Sequence, residues 1–284
     1  MNAPARRSRR PSGRVPSERS VDWLYGFHSV REALRARRRR LVQLWVRRGR
    51  RGREQQELIA LAGEVGIPVD WRAPDELDAL LGPEVPSQGV ALEVGPLPRE
   101  PLEELLARKV GSGEAAPGRV VVALDGVEDP QNVGAIARVA ESVGATGLIL
   151  TDRRAPPLSP ALSRACAGAI EWLPASRVGN LARALERARD AGFWVLAAEP
   201  EAGEALYGLS DRVLSGDLDV VLGAEGRGIR PGVLAVSDHR VRLPMRGRVA
   251  SLNVSTAGAV ILYEILRRQL AIPEGGKSIN TLGD

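Results

Sequence analysis

The chain has almost no cysteine or histidine. Cys166 is its only cysteine, and His28 and His239 are its only histidines. A single thiol excludes an internal disulfide bond and a cysteine-cluster metal site. Two histidines leave little from which to build a zinc site or a Ser-His-Asp triad. We therefore expect chemistry that needs no metal, and we interpret Cys166 as a packed small residue rather than a nucleophile.

Long hydrophobic runs are also missing. No apolar stretch approaches the roughly 18 residues that span a bilayer, and no signal-peptide core follows the first residues. This pattern predicts a soluble, cytoplasmic protein that does not span a membrane. With 284 residues, 44% of them hydrophobic, the chain is long enough for about two domains with real cores.

Positive charge is concentrated at one end. Residues 1–53 hold 17 arginines and three acidic residues, a net charge of +14, so the net +5 of the whole chain leaves −9 for the rest. A basic arm on an acidic body favours nucleic acid or an anionic membrane as partner over a merely solvated face. Residues 1–20 are predicted to be a disordered tail. Their three prolines disfavour the amphipathic helix of a transit peptide, so we expect a nucleic-acid-binding tail.

Residues 21–95 are predicted to form a small α/β unit, because helical and strand patterns alternate. The predicted helices cover 29–37, 54–65 and 75–81, and the predicted strands cover 41–46, 67–71 and 88–94. Residues 96–118, rich in glycine and proline, are interpreted as a linker with a short helix at 102–109. Residues 111–116 formally fit a dinucleotide fingerprint, but they precede a strand instead of following one, so we discount the match.

Strand and helix patterns repeat from residue 119 to residue 271. Near-continuous apolar strands separated by helices are typical of a parallel sheet buried on both faces. The predicted strands are 120–124, 146–150, 193–198, 218–222 and 241–243, and the predicted helices are 132–143, 160–165, 178–191 and 253–270. General topology rules favour an unknotted, doubly wound sheet. Residues 272–284 are interpreted as a C-terminal tail.

Three polar segments with glycine or serine stand where predicted strands give way to loops or helices. They are Asn-Val-Gly-Ala-Ile-Ala-Arg at 132–138, Gly-Ala-Glu-Gly-Arg-Gly at 223–228 and Ser-Leu-Asn-Val-Ser at 251–255. Since the carboxyl ends of parallel strands meet at one edge of a sheet, we expect a ligand site there. Taken alone, Ser251 or Asn253 would also serve simply as the cap of the last helix.

In order and spacing these motifs resemble those of the SpoU/TrmH family of RNA ribose 2′-O-methyltransferases, over about residues 119–270. Residues 25–34 resemble the start of the RNA-binding domain, similar to ribosomal protein L30e, that precedes the catalytic domain in many members. Ser87 stands where the family usually has histidine. The resemblance implies an α/β fold in which a small L30e-like domain precedes a parallel-sheet methyltransferase domain with a trefoil knot.

The resemblance also implies an activity, which is methyl transfer from S-adenosylmethionine to a ribose 2′-hydroxyl in RNA by a homodimer with its active site near the interface. The chain looks most like the branch that methylates a guanosine in 23S ribosomal RNA. A tRNA methyltransferase of the same family, and a relative that methylates an adenosine and confers antibiotic resistance, are the alternatives within this chemistry. A catalytically silent RNA-binding assembly factor is the alternative outside it.

The family's functional residues carry over to matching positions. Arg138 is implied as the activator of the hydroxyl. Because a guanidinium pKa lies above about 12, phosphate clamping and alkoxide stabilisation stay open as its role. The other implied catalytic residues are Asn132, Glu225, Ser251 and Asn253. The implied cofactor contacts are Gly223, Leu243 and Leu252, the implied phosphate contacts are Arg246 and Arg248, and His28 is either a contact to RNA or a structural residue.

Overall fold

The computed structural model describes residues 21–49, 52–109 and 117–271. The predicted tails at 1–20 and 272–284 and the discounted fingerprint at 111–116 lie outside the described residues. Within the described ranges, none of the helices has the length and apolar character needed to cross a membrane.

The first unit is a four-stranded sheet with the strand order β1-β4-β2-β3. Strands β1 and β2 run antiparallel to β4, while β2 and β3 are parallel. Helices α1 and α2 carry apolar residues at helical spacing, and these pack with Leu44 and Leu92 in one core. The bounds are β1 Asp22–Tyr25, α1 Phe27–Ala36, β2 Leu41–Arg47, α2 Arg53–Val65, β3 Val69–Arg72, α3 Pro74–Leu81 and β4 Val90–Val94.

The second unit is a seven-stranded parallel sheet with the order β7-β6-β5-β10-β8-β11-β9. Its strands are β5 Val120–Asp125, β6 Gly147–Thr151, β7 Ala175–Val178, β8 Trp194–Ala198, β9 Glu204–Ala205, β10 Leu218–Gly223 and β11 His239–Arg242. Its helices are α4 Leu102–Ala107, α5 Pro130–Ser142, α6 Pro160–Ala165, α7 Leu181–Asp190, α8 Asp211–Leu214, α9 Pro231–Leu234 and α10 Val254–Leu270.

Both faces of this sheet are buried, as the apolar strands predicted. Val122 and Leu124 point into a core shared with α5 and α10, and Val121 and Ala123 point into a second core shared with α4 and α7. Alternate residues of one strand therefore serve opposite layers. The carboxyl ends of all seven strands lie along one edge, which is where the sequence motifs were expected to meet.

Two predicted elements need correction. The helix predicted at 178–191 begins only at Leu181, because Ala175–Val178 form the edge strand β7 beside β6. The presumed linker is not a free connector either. The leucines of α4 at 102, 105 and 106 are buried against the sheet, and a Cβ on Gly147 would lie 2.6 Å from a methyl carbon of Leu105. Residues 102–107 therefore belong to the core of the second unit.

A buried ion pair joins the two units. The side chains of Arg39 and Glu171 are each 1% exposed, and Nε of Arg39 donates to Oε2 of Glu171 at 2.9 Å. Ser163 Oγ donates to the same carboxylate at 2.7 Å, and Arg39 also donates to the carbonyl of Gly95 at 3.3 Å. Because both charges are paired and hydrogen-bonded, their burial is tolerated.

Candidate functional site

The three sequence motifs meet through side-chain hydrogen bonds. Asn132 Nδ2, at the start of α5, donates to Oε1 of Glu225 at 3.1 Å. Asn253 Nδ2, just before α10, donates to the same oxygen at 2.5 Å and to Oδ1 of Asn132 at 3.0 Å. These three residues, which we call the Asn–Glu–Asn triangle, come from separate parts of the chain. The structure therefore brings together one predicted catalytic residue from each motif.

The helix ends fix the orientation of the triangle. Asn253 Oδ1 accepts hydrogen bonds from the backbone N–H of Ser255 at 2.8 Å and from its hydroxyl at 2.5 Å. Asn253, and not Ser251, is thus the cap of α10. Since its oxygen serves the cap, its NH₂ group is directed to the triangle. At α5, the side chain of Asp129 caps the helix three residues before Asn132, and Pro130 occupies the first helical position.

A polar cleft of about 330 Å³ lies beside the triangle, with Asn132 and Glu225 on its wall. At its base, the buried carboxylate of Asp125 accepts from Nε of Arg230 at 2.7 Å and from the backbone N–H of Arg230 at 2.8 Å. This pair anchors the loop that carries Glu225. Sequence reasoning missed both residues. The available signal was an acidic residue at the end of the otherwise apolar strand β5.

The cleft is rich in arginine. Arg153, Arg154 and Arg227 line it, and in the described part of the chain none of the three has a carboxylate partner. Arg154 also has a left-handed backbone with φ of 61°, which costs a residue other than glycine about 1 kcal/mol. Guanidinium groups offer paired donors that match phosphate oxygens. The cleft is also lined by four acidic residues, Asp125, Glu128, Asp129 and Glu225, so its free guanidinium groups, and not its net charge, suit a phosphodiester.

Two motif glycines are needed for close packing. A Cβ on Gly223 would lie 2.4 Å from the carbonyl carbon of Gly228, because the loop after β10 folds back on the strand end. A Cβ on Gly134 would lie 2.7 Å from that of Ala165, where α5 crosses α6. Both positions thus require the absence of a side chain. For Gly223 this packing role stands beside its predicted contact with a cofactor.

The predicted cofactor residues lie at the carboxyl edge of the sheet. Leu243 follows β11 and packs partly against the core. Leu252 is 41% exposed, and Met245 and Val249 in the same loop are 40% and 70% exposed. Uncovered apolar side chains next to the backbone of a strand end suit a flat heterocycle such as adenine. The residues present therefore fit S-adenosylmethionine. Arg246 and Arg248 lie exposed in this loop.

Arg138 and Ser251 do not join the triangle in a single copy of the chain. Arg138 is exposed on α5 and does not line the cleft. Six residues of helix place it about 240° around and about 9 Å along the axis from Asn132. Ser251 is exposed in the loop before α10. Their predicted catalytic roles thus stay predictions.

The remaining candidates have structural surroundings. Cys166 is buried, its Sγ lies 3.2 Å from the carbonyl oxygen of Ser163, and burial raises the pKa of its thiol to about 11. His239 Nδ1 lies 3.3 Å from a carboxylate oxygen of Glu204, while His28 is exposed beside the ring of Phe27. In the ranges that the structure describes, histidine, cysteine and acidic side chains form no group of three able to hold a metal ion.

Comparison with known proteins matches this geometry. Residues 119–263 match the model of the SpoU rRNA Methylase family, and residues 23–100 match the model for RNA 2′-O ribose methyltransferase substrate binding. The first range contains the Asn–Glu–Asn triangle and every residue that lines the cleft. The second contains β2, β3 and β4 of the first unit and all of β1 except Asp22.

Curated relatives cover nearly the same length. The chain is 40% identical over 249 residues to the 23S rRNA (guanosine-2′-O-)-methyltransferase RlmB of Pseudomonas aeruginosa, covering 87% of this chain and 96% of the relative. To the enzyme of that name from Pseudomonas putida it is 38% identical over 252 residues, covering 88% and 97%.

Solved structures share the fold. The SpoU methyltransferase AviRb of Streptomyces viridochromogenes, solved with AdoMet, superposes with a TM-score of 0.72 at 23% identity and covers 88% of this chain and 90% of its own. A TrmH-family protein from Porphyromonas gingivalis gives a TM-score of 0.69 at 26% identity, covering 87% and 90%. Together with the family-model match and the identity to curated relatives, this shows that the chain belongs to the SpoU rRNA methylase family.

Proposed function

We propose that the protein transfers a methyl group from S-adenosylmethionine to the ribose 2′-hydroxyl of a guanosine in 23S ribosomal RNA. The observation that carries the proposal is the Asn–Glu–Asn triangle, which joins all three motifs at the wall of an arginine-lined cleft. The choice of substrate rests on the relatives named as 23S rRNA guanosine methyltransferases. The proposal places the protein in the cytoplasm with the ribosomal RNA.

The reaction is an in-line displacement. The ribose oxygen forms a bond to the methyl carbon while the bond from that carbon to sulfur breaks. The electron pair of the broken bond stays on sulfur, the leaving group is S-adenosylhomocysteine, and the hydroxyl proton passes to solvent. When bound, S-adenosylmethionine supplies the electrophilic methyl group. The chain's own residues must align the hydroxyl and assist the loss of its proton.

Glu225 is suited to orient the hydroxyl. Its Oε1 accepts from both asparagines, whereas Oε2 has no donor among the described residues. We assign Oε2 to accept the hydrogen bond of the ribose hydroxyl, and we assign the cleft arginines to the adjoining phosphates. Gly223, Leu243 and Leu252 hold the adenosyl group. Ser251 contributes a hydroxyl from the same loop to the bound RNA.

A homodimer would complete the site. Arg138 lies on the exposed side of α5, and α10, which packs on α5, presents Tyr263 at 52% exposure. Met245 and Val249, in the loop before α10, are further exposed apolar residues. Exposed apolar area of this kind favours a second copy as partner. In the dimer, Arg138 of one copy acts at or beside the site of the other as hydroxyl activator or phosphate clamp.

The topology of the second unit supports the knot expected from the family. Strand β10 enters the sheet between β5 and β8, and α10 returns to pack on α5 and on Leu222 of β10. We propose that the segment from β10 to α10 is threaded as a trefoil. We also propose that residues 21–95 act as the RNA-binding domain and residues 119–271 as the methyltransferase domain. Because α4 is buried in the core of the second unit, its part of the 96–118 stretch belongs with the proposed methyltransferase domain.

Methyl transfer to fractionated RNA tests the proposal. Wild type, Arg138→Ala and Arg212→Ala are each given labelled S-adenosylmethionine and RNA from cells that lack the gene. Arg212 is an exposed arginine of α8, so its substitution controls for loss of one surface charge. We expect label in 23S rRNA, resistant to alkaline cleavage on its 3′ side, lost in Arg138→Ala and kept in Arg212→Ala. Label in tRNA instead would overturn the proposed substrate.

Mixing inactive variants tests the shared site. If Arg138 acts on the partner's site, equal amounts of Arg138→Ala and Glu225→Ala should regain about a quarter of wild-type activity after subunit exchange. Half of the dimers are then mixed, and each mixed dimer holds one complete site out of two. No recovery would contradict a shared site.

Calorimetric titration with S-adenosylmethionine tests the alternative that the protein is a catalytically silent RNA-binding assembly factor. RNA binding without any binding of this cofactor would favour that alternative.

A further inference from the structure

A second groove lies apart from the polar cleft, at the edge of the sheet. It measures about 550 Å³ and runs between residues 99–103 and the stretch from β7 into α7. The groove exists because the backbone N–H of Glu100 donates to the carbonyl of Ala175 at 3.1 Å, which lays the preceding chain along the edge strand. Four arginines line it, and we call it the arginine groove: Arg99, Arg177, Arg183 and Arg187.

Its acidic residues are already occupied. Glu100 pairs with Arg108 at 2.5 Å and with Arg38 at 3.8 Å, and Glu103 pairs with Arg187 at 2.6 Å. Arg99 and Arg183 are exposed and have no acidic partner among the described residues. The ten-residue helix α7 begins at the groove, and its N-terminus adds partial positive charge. The uncompensated charge of the groove is therefore positive.

Arg177 is built into the floor. Its side chain is 8% exposed, and its guanidinium donates to the carbonyls of Pro156 and Thr151 at 2.9 Å each. Burial first, and then the charge of Arg99, lower the pKa of Arg177. The carboxylate of Asp152 stands 3.8 Å away and is 52% exposed. Two neighbouring guanidiniums, one nearly buried, create a site whose electrostatic cost a bound anion would relieve.

The groove and the polar cleft flank a single loop. Residues 151–156 supply the carbonyls that hold Arg177, and the same loop carries Arg153 and Arg154 into the cleft. A strand that places its target ribose at the triangle can therefore pass over this loop and reach the arginine groove. The two lines of arginine then contact successive parts of one backbone.

We propose that the arginine groove binds phosphates of the substrate RNA strand next to the methylated nucleotide, with Arg99 and Arg183 as the contacting side chains. This inference rests on the proposed function, since it assumes that RNA enters the polar cleft. Guanidinium forks match phosphate oxygens in pairs, and contacts of this kind position a strand without reading its sequence.

The salt dependence of binding measures such contacts. Each phosphate contact to single-stranded RNA contributes about 0.7 to the slope of log K against log salt. Arg99→Gln/Arg183→Gln should thus lower the slope by about 1.4, which at 0.1 M salt corresponds to roughly 25-fold weaker binding. Deproteinised 23S rRNA from cells that lack the gene is the probe. The KM for RNA should rise while kcat at saturating RNA and the affinity for S-adenosylmethionine stay unchanged.

Matched variants separate this site from a general loss of charge. Arg212→Gln is compared with Arg183→Gln, because both arginines are exposed on helices and neither has an acidic partner in the described part of the chain. We expect Arg183→Gln to lower the slope of log K against log salt and Arg212→Gln to leave it unchanged. Arg99→Lys/Arg183→Lys should also keep the wild-type slope. If the wild type is active and its salt slope and KM match those of the double glutamine variant, the proposed RNA-binding role of the arginine groove is overturned and the proposed function is not. A wild type without methyl transfer to any RNA would instead overturn the proposed function.

Discussion

Asp219 provides a stringent test of the packing in the second unit. It lies within β10, where its neighbours in register are Val121 and Val195. Its side chain is completely buried, and neither carboxylate oxygen has a hydrogen-bond partner in the described structure. Burial therefore disfavours the charged form and raises the pKa of Asp219 to about 8. At neutral pH the native protein holds this carboxyl mainly as the neutral acid.

The shift makes the free energy of unfolding depend on pH. The native state keeps the proton up to about pH 8, whereas the unfolded chain loses it near pH 4. Stability contributed by this group is thus fully present below pH 4 and is lost as the pH rises to 8. Between pH 5 and pH 7 the loss amounts to about 3 kcal/mol. Asp219→Asn removes the titration and leaves the shape nearly unchanged.

Urea unfolding of wild type and Asp219→Asn at pH 5, 6, 7 and 8.5 gives the required difference. We expect the variant to gain about 3 kcal/mol relative to wild type from pH 5 to pH 7, and no more above pH 8. Groups that titrate equally in wild type and in Asp219→Asn cancel when the two free energies of unfolding are subtracted at each pH. One example is Glu264, whose pKa is lowered to about 2 by Arg267 and Arg268. Two stability curves that stay parallel across this range would refute the buried, unpartnered carboxyl.

Arg39→Met should lower the free energy of unfolding by about 3–5 kcal/mol, since it leaves Glu171 buried and unpaired. Thermal unfolding should show a lower Tm, which Arg39→Met/Glu171→Leu should largely restore. An unchanged Tm in the single variant would contradict the buried pair. Asn253→Ala should cost about 1 kcal/mol through its cap. Asn253→Asp should keep the cap but set a second carboxylate against that of Glu225 in place of an N–H donor, and should therefore lose methyl transfer. An active aspartate variant would contradict the triangle. Cys166 should not react with a disulfide reagent at pH 8 until urea unfolds the chain, because burial raises its pKa to about 11; rapid native modification would disprove its burial.

Much of the fold could be predicted from local sequence. Apolar strands of β-branched residues and helices with proline at the start are strong signals, and α6 was predicted with its observed bounds. The strand β7 was missed because Ala-Ser-Arg-Val at 175–178 has no apolar run. The core position of α4 was missed because a short Leu-rich helix between glycine- and proline-rich stretches looks like part of a connector. The strand order of each sheet, and which helices cover which face, depend on contacts between residues far apart in sequence.

At the site too, the sequence predicts which residues take part, and the structure shows how they contact one another. Asn132, Glu225 and Asn253 were named from motifs, and the structure adds that they share hydrogen bonds. The pair formed by Asp125 and Arg230 was missed, because neither residue lies in the three motif segments and its only signal was an acidic residue at the end of the apolar strand β5. The placement of Arg138 away from the triangle follows from helix periodicity, since a six-residue spacing puts it about 240° around α5 from Asn132.

The chemical identity of the product decides whether the three motifs form a site for ribose methylation. Purified protein is incubated with labelled S-adenosylmethionine and 23S rRNA from cells that lack the gene, and the RNA is digested to nucleosides that are separated by mass. We expect the label in 2′-O-methylguanosine, and we expect Glu225→Ala to abolish it. Label in a methylated base, or equal label with Glu225→Ala, would contradict ribose methylation at the site formed by the three motifs.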